Sequence, residues 1–301
     1  MLGRSGVGVS EFFFGAHSSC DANRAVKAAG AGGVASDGIQ RLSRAYDMGI
    51  RVFDAGGCRG AGPDERAVGD WVTRVRPRGV VVQTAVRAGY RAVAGRGLSR
   101  GHIARQLVRS LQRLGPIDLY VVHAPDPVAP VEEMLCAFAA AREAGLVRAF
   151  GCSHVDVRTV ERLLEASMTH GLPRIEFVQN RFDLLDRHDE REMLSFVAAE
   201  ELGYVAIPSV TSRTYASELY RRAPRLRLLS RVSRIGIEGL TLAWLRSHPN
   251  VTATAVVPSS DEQWGAVRDA LDFEVDDELH AELGECSSVA NRAAARLAGS
   301  V

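Results

Sequence analysis

Of the 37 lysine and arginine residues in this chain, only Lys27 is a lysine. Heavy use of Arg, Ala and Gly beside that scarcity reflects a GC-rich coding bias and carries no functional weight by itself. Any chemistry that needs a lysine, however, has one residue to draw on. Cysteine is sparse too. The five, Cys20, Cys58, Cys136, Cys152 and Cys286, are odd in number, far apart and without CxxC spacing, which argues against both a disulfide framework and a zinc site. No window approaches about 18 uninterrupted apolar residues, and no charged N-terminal segment leads into an apolar run, so neither a membrane span nor a secretory leader is read. The expected compartment is the cytoplasm. An excess of one charge is missing as well: the net charge of +1 leaves no global field to draw the protein to nucleic acid or an anionic membrane.

What is present is enough apolar mass for a full core. Hydrophobic residues make up 46% and charged residues 24% of 301 positions, a soluble globular composition that excludes disordered and fibrous classes. From residue 36 onward, helical patterns alternate with short β-branched runs. IQRLSRAYDMG reads as an amphipathic helix stopped by Gly49, followed by the strand IRVFDAG. GVVVQTAV (79–86), IDLYVVHAP, VRAFGCS, IEFVQN, YVAIPS and VTATAVVPS repeat the strand phrase, each preceded by a helical segment. With FFFGA near residue 14 as the first, the strands number eight. Their apolar runs lack strict alternation, as in parallel strands buried on both faces. Eight such βα units favour an α/β fold of the (β/α)8 TIM-barrel type over a doubly wound sheet. No linker divides residues 1–301, so a single barrel domain is expected, with a C-terminal helical extension. Residues 17–36 and 208–236 read as long first and seventh βα loops on the C-terminal face, where lids and binding loops lie.

Several segments, in order, resemble the aldo-keto reductases. LGRSGVGVSEFFFGA is similar to the family's opening hairpin and first strand, LGRSGLxVSxLxLGT. GIRVFDAGGCRGAGPDERAVG resembles GIxFFDTAxxYGxGxSExxLG, and IDLYVVHAPDP resembles IDLYxxHxPDP. VRAFGCS is similar to VRxIGVSN, and Gln179 with RFDLLDR resembles QxxYNLLxR. The likeness runs from about residue 2 to residue 272. It implies a barrel with an Asp, Tyr, Lys and His tetrad, in which tyrosine protonates a carbonyl while NADPH delivers hydride.

Carried over residue by residue, the resemblance keeps Asp54 and His123 but places Arg59 where the tyrosine belongs and Ala85 where the lysine belongs. A guanidinium holds its proton too tightly to act as a general acid, although it can bind an anion. Lys27 is the only lysine that could substitute, and Tyr90 and Tyr215 are the candidates for a relocated acid. The cofactor positions change as well. The pair that holds the nicotinamide carboxamide reads Ser153 and His154, Gln179 is kept, the stacking aromatic is Ile207, and an Asn after the eighth strand is Val267. Ser259 lies in the shortened phosphate loop PSSDEQW, which has no Arg or Lys.

The expected catalytic set is therefore His123, Asp54, Arg59 and His154, with Arg87, Arg181, Arg213, Tyr90 and Tyr215 as substrate-binding residues. Histidines titrate near neutral pH, a carboxylate orients them, and arginines clamp carboxylates or phosphates. That set suits proton transfer on a small anionic metabolite without a cofactor: dehydration, isomerisation or cyclisation, in a setting such as secondary metabolism. Two alternatives stay open: an NADPH-dependent reductase with a rearranged site, in which Ser153, Gln179 and Ser259 would bind cofactor, and a non-catalytic ligand-binding or regulatory barrel. Cys152 and Cys58 are minor candidates for a nucleophilic thiol, and no metal is expected. The sequence is silent on oligomeric state.

Overall fold

The computed structural model describes residues 1–16, 31–56, 62–87, 97–124, 130–212 and 214–298, with backbone alone for 31–37 and 289–298. Its eight strands are β1 (Phe12–Gly15), β2 (Val52–Asp54), β3 (Val81–Val86), β4 (Leu119–His123), β5 (Ala149–Ser153), β6 (Phe177–Arg181), β7 (Gly203–Ile207) and β8 (Ala253–Val256). All pair in parallel with their sequence neighbours, and β8 returns to β1 to close the barrel. The α/β (β/α)8 barrel read from the sequence is the fold observed.

Outside it lie α1 (Ala31–Asp47), α2 (Pro63–Val75), α3 (Arg100–Leu114), α4 (Val131–Glu143), α5 (Val157–His170), α6 (Met193–Ala199), α7 (Tyr215–Arg222), α8 (Arg225–Ser233), α9 (Ile237–Ser247), α10 (Asp261–Asp272) and α11 (Asp277–Ala298). No helix among the described residues is long and apolar enough to cross a membrane.

The pleat sorts each strand into two sets. Phe13, Val52, Val81, Leu119, Val121, Ala149, Phe177, Val205 and Ala253 form one core cluster, capped by Leu2 and Val7 of the N-terminal turn. The residues between them, among them Phe12, Phe14, Phe53, Tyr120, Phe150, Cys152 and Tyr204, pack in the second cluster with the helices. Because side chains alternate at a period of two, the same parity carries Gly15, Asp54, Gln83, Ala85, His123, Ser153, Gln179 and Ile207 toward the C-terminal mouth, where all eight line a cleft.

Two segments read as loops contain helices. Residues 31–36 already belong to α1, and residues 208–236 hold α7 and α8. The apolar signal in the latter is thin but correctly spaced: Tyr215 and Leu219 are buried on α7, and Leu226 and Ser230 on α8, one helical turn apart on one face. The extension after β8 ends in α11, which α8 meets through Arg225 and Glu282 at 2.5 Å.

A buried polar cluster ties α2 and α3 to β3. Glu65, in the first turn of α2 and 1% exposed, accepts from Thr84 Oγ1 on β3 at 2.7 Å and from Arg113 Nε on α3 at 2.5 Å. Four residues on, Gly69 faces the end of the same helix: a Cβ there would stand 2.0 Å from the Arg113 carbonyl oxygen. Gly69→Ala should therefore force α2 and α3 apart and cost about 2–3 kcal/mol, read as a lower denaturant midpoint. An unchanged midpoint would show that the helices separate freely here.

Candidate functional site

The C-terminal mouth opens into a cleft of about 840 Å³, counting its open entrance. Gln83 and Gln179 are both buried in its lining, and Gln83 Nε2 donates to Gln179 Oε1 at 3.0 Å across the barrel. Asp54 stands beside Gln83 in the β2–β3 register and is 9% exposed. Its Oδ1 accepts from the Gly56 N–H at 2.8 Å, a tight turn at the strand end. His123 and Ser153 end β4 and β5, and Gln179, midway along β6, is in matched register with them, so three polar side chains stand side by side.

Above this row the chain turns sharply twice. Ala124 and His154 have φ of 64° and 56°, the left-handed region that residues other than glycine seldom adopt. Both turns are fastened to the next strand, Ala124 N–H to the Ser153 carbonyl at 2.9 Å and His154 N–H to the Gln179 carbonyl at 3.1 Å. Asn180 secures the second. Its side chain accepts from the Val155 N–H at 3.0 Å and donates to the Val155 carbonyl and to Asp189 Oδ2, each at 2.7 Å. Strain of this kind persists where surroundings enforce it and clusters at functional sites.

Those turns bring two imidazoles together. The His123 and His154 rings lie 4.7 Å apart at an interplanar angle of 58°. Partial withdrawal from water, then the nearby Arg181 and Arg87 guanidiniums, hold the His154 pKa below its usual 6.5. Arg87, part-buried, lines the cleft at the end of β3, and Arg181 stands exposed at the end of β6. Two cations facing a neutral ring can hold an anion beside a proton acceptor.

Some expected site residues belong elsewhere. Tyr215 does not line the cleft; it is 1% exposed in the core, with its hydroxyl donating to Thr241 Oγ1 at 3.2 Å and burial raising its pKa well above 10.0. It cannot serve as a relocated acid there. The reason is helical phase, since Tyr215 begins α7 on the face that packs inward. Cys152 points outward between Gly151 and Ser153, fully buried, and burial pushes its thiol up to about 12. Ser259 is exposed beyond β8, where its N–H and hydroxyl both donate to Gln263 Oε1, at 2.7 and 2.9 Å. Arg59, Tyr90, Arg213, Lys27 and Cys58 lie outside the described residues. Among the described residues no cluster of three or more His, Cys, Asp or Glu is placed to hold a metal ion, and no tyrosine lines the cleft. Two residues were not singled out from sequence. Gln83 carried a usable signal, an amide inside the apolar run VVVQTAV, whereas Asn180 carried none beyond its place after Gln179.

Comparison with known proteins agrees with this geometry. The model of the Aldo/keto reductase family matches residues 29–288. The chain belongs to the aldo/keto reductase family. Members of that family are oxidoreductases that typically use NADP(H). A Schizosaccharomyces pombe protein named a putative aryl-alcohol dehydrogenase is 30% identical over 189 residues, covering 54% of each chain. An Oryza sativa protein named a probable voltage-gated potassium channel subunit beta is 25% identical over 304 residues, covering 90% of each. The match spans about half the length of the first curated relatives. In fold, the chain resembles a thermostable aldo-keto reductase crystallised with the inhibitor epalrestat, with a TM-score of 0.75, 24% identity, and 95% and 98% of the two chains covered.

Membership sharpens the departures. Ala85 stands where the resemblance expects lysine, and Gly56 lies against it: a Cβ at 56 would be 2.8 Å from Ala85 Cβ and 2.9 Å from Asp54 Oδ1. Beyond Ile207, a smaller hollow of about 240 Å³ is lined by Val210, Glu238, Leu242, Val257 and Val267. Gln263 spans its edge, with Oε1 held by Ser259 and Nε2 donating to the Thr211 carbonyl at 3.2 Å. Two α1 arginines reach this loop and engage protein groups there, Arg41 the Pro258 carbonyl at 3.2 Å and Arg44 the Asp261 carboxylate at 2.7 Å.

Proposed function

We propose that this aldo/keto reductase barrel carries out proton transfer on a small anionic metabolite without a nicotinamide cofactor. The single observation behind the reading is the His123 and His154 pair, 4.7 Å apart at adjacent strand ends and flanked by Arg87 and Arg181. The arginines bind a carboxylate or phosphate; His154, neutral at pH 7 because its pKa lies below 6.5, takes a proton from the carbon next to an activating group. His123 delivers a proton to the departing oxygen or to the neighbouring carbon. Dehydration, isomerisation and cyclisation all reduce to that exchange. Asp54, beside Gln83 on β2, lines the same cleft and supplies its carboxylate.

The contact points for a nicotinamide dinucleotide fit poorly, and this supports the reading. Gln179 is engaged by Gln83, Ile207 offers no aromatic face, and Glu238 rather than a cation lines the hollow beyond. The competing reading, an NADPH-dependent reductase, draws on family membership and on Ser153 and Gln179 at the carboxamide positions.

Titration with NADPH, followed by tryptophan fluorescence and thermal shift, separates the two. We expect no saturation. Stabilisation approaching about 3 kcal/mol at a hundredfold excess over a sub-millimolar Kd would overturn the proposal. Proton transfer is then tested directly by incubating the protein in D2O with a panel of small hydroxy and keto acids and following C–H exchange by proton NMR. Exchange should fall about 100-fold in both His123→Ala and His154→Ala, and exchange that survives both substitutions removes the assignment.

A further inference from the structure

Gln83 is an expensive residue to keep where it lies. It is 1% exposed, inward-facing in β3, and its neighbours of the same parity are Val81 and Ala85. Its Nε2 is spent on Gln179, whereas its Oε1 is buried without a hydrogen-bond partner. A buried carbonyl left unpaired costs about 1–3 kcal/mol, so a purely structural role would be better met by an apolar side chain. The amide's orientation is fixed while Gln179 Oε1 accepts: turning it over would set two carbonyl oxygens against each other. Gln83 lines the cleft, and a small shift of its side chain would bring the covered acceptor to a molecule bound there.

We propose that Gln83 Oε1 is a specificity-determining acceptor for a hydroxyl or N–H group on the substrate. The inference rests on the reading of Arg87 and Arg181 as an anion clamp. Gln179, which Gln83 touches, and Arg181 are two residues apart on β6, a backbone separation of about 7 Å along the strand. The substrate class is thus an anion carrying a hydrogen-bond donor at the end remote from its charge, on the order of 7 Å away, inserted donor first. An anion without that donor would leave the Gln83 carbonyl unpaired in a site from which it has displaced water, and sites built on buried polar groups discriminate strongly against such analogues.

A matched pair of probes tests this by isothermal titration calorimetry: 4-hydroxybenzoate, which carries a para hydroxyl donor, and benzoate, which lacks it. The wild-type protein should bind 4-hydroxybenzoate about tenfold more tightly, and Gln83→Met should bind the two alike. Gln83→Leu, which likewise lacks an acceptor, should also bind the two alike and serves if the methionine variant fails to fold by circular dichroism. Equal binding of both probes to wild type, with affinity lost in Arg181→Ala, overturns the role of Gln83 and leaves the anion clamp standing. A preference that persists in Gln83→Met also overturns it. Failure of both probes to bind wild type at about 10 mM would instead remove the anion clamp, and this inference with it.

Discussion

Arg113→Ala is expected to destabilise the barrel by about 3–5 kcal/mol, read from the denaturant midpoint at pH 7. Glu65 is 1% exposed and has been taken out of water in the first turn of α2, where the helix N-terminus favours a carboxylate. Thr84 Oγ1 supplies one donor at 2.7 Å and Arg113 Nε the only formal positive charge in the cluster, at 2.5 Å. Removing the guanidinium leaves a buried anion with a hydroxyl for company. The cost is that of the orphaned charge and exceeds what the pair itself contributes, because both ions lost hydration on burial. Replacing both members, Glu65→Met with Arg113→Met, should recover most of the loss. A single variant within about 1 kcal/mol of wild type would mean that water reaches Glu65 in place of Arg113. The cluster bears on function through β3, since Thr84 lies between Gln83 and Ala85 in the strand that supplies one wall of the cleft.

Acid should loosen the attachment of the C-terminal helix. His248 is packed against Phe182, Trp244 and His280, with ring centroids 5.5–5.8 Å away. Burial first, then the neighbouring His280, lowers its pKa to about 4; Glu190 pulls the other way, and Arg187 adds a smaller push downward. The unfolded chain takes up a proton near 6.5 and the folded one near 4, so the folded state is disfavoured progressively as pH falls through that window and gains nothing above it. His280 is lowered by burial and Arg187 in the same sense, and it ties α11 to α9 through Ser247 Oγ at 2.7 Å and the Trp244 Nε1 donor at 3.2 Å. Buried Asp183 and Asp189 are pushed up by burial and act in the opposite direction. The histidine contribution is therefore read as a difference: denaturant midpoints at several pH values between 7 and 4 should decline less steeply in His248→Phe than in wild type. Parallel slopes would show that His248 titrates normally in the folded protein.

Both results bear on how much of the protein could be read before its structure. The barrel was legible because each strand is a short apolar run and each helix a periodic one, and local patterns survive into the fold unchanged. The positions of Asp54, His123 and Ser153 at strand ends were legible for the same reason. Gln83 carried a signal, an amide in an apolar strand, but was not singled out, because that signal alone does not say what the amide meets. Helices α7 and α8 were hidden because their apolar residues are few, and Tyr215 was misplaced because its helical phase depends on Thr241 and the core it meets.

The chain by itself determined the barrel, the order of its strands, the family and the absence of a lysine at position 85. Only tertiary structure decided what surrounds that position. Gln83 and Gln179 meet across 96 residues of sequence, His123 and His154 pair because two left-handed turns point them at each other, and Arg113 finds Glu65 across 48 residues. These are contacts between segments that share no local signal, set when the barrel closes and its alternating side chains are driven to one mouth or one interface.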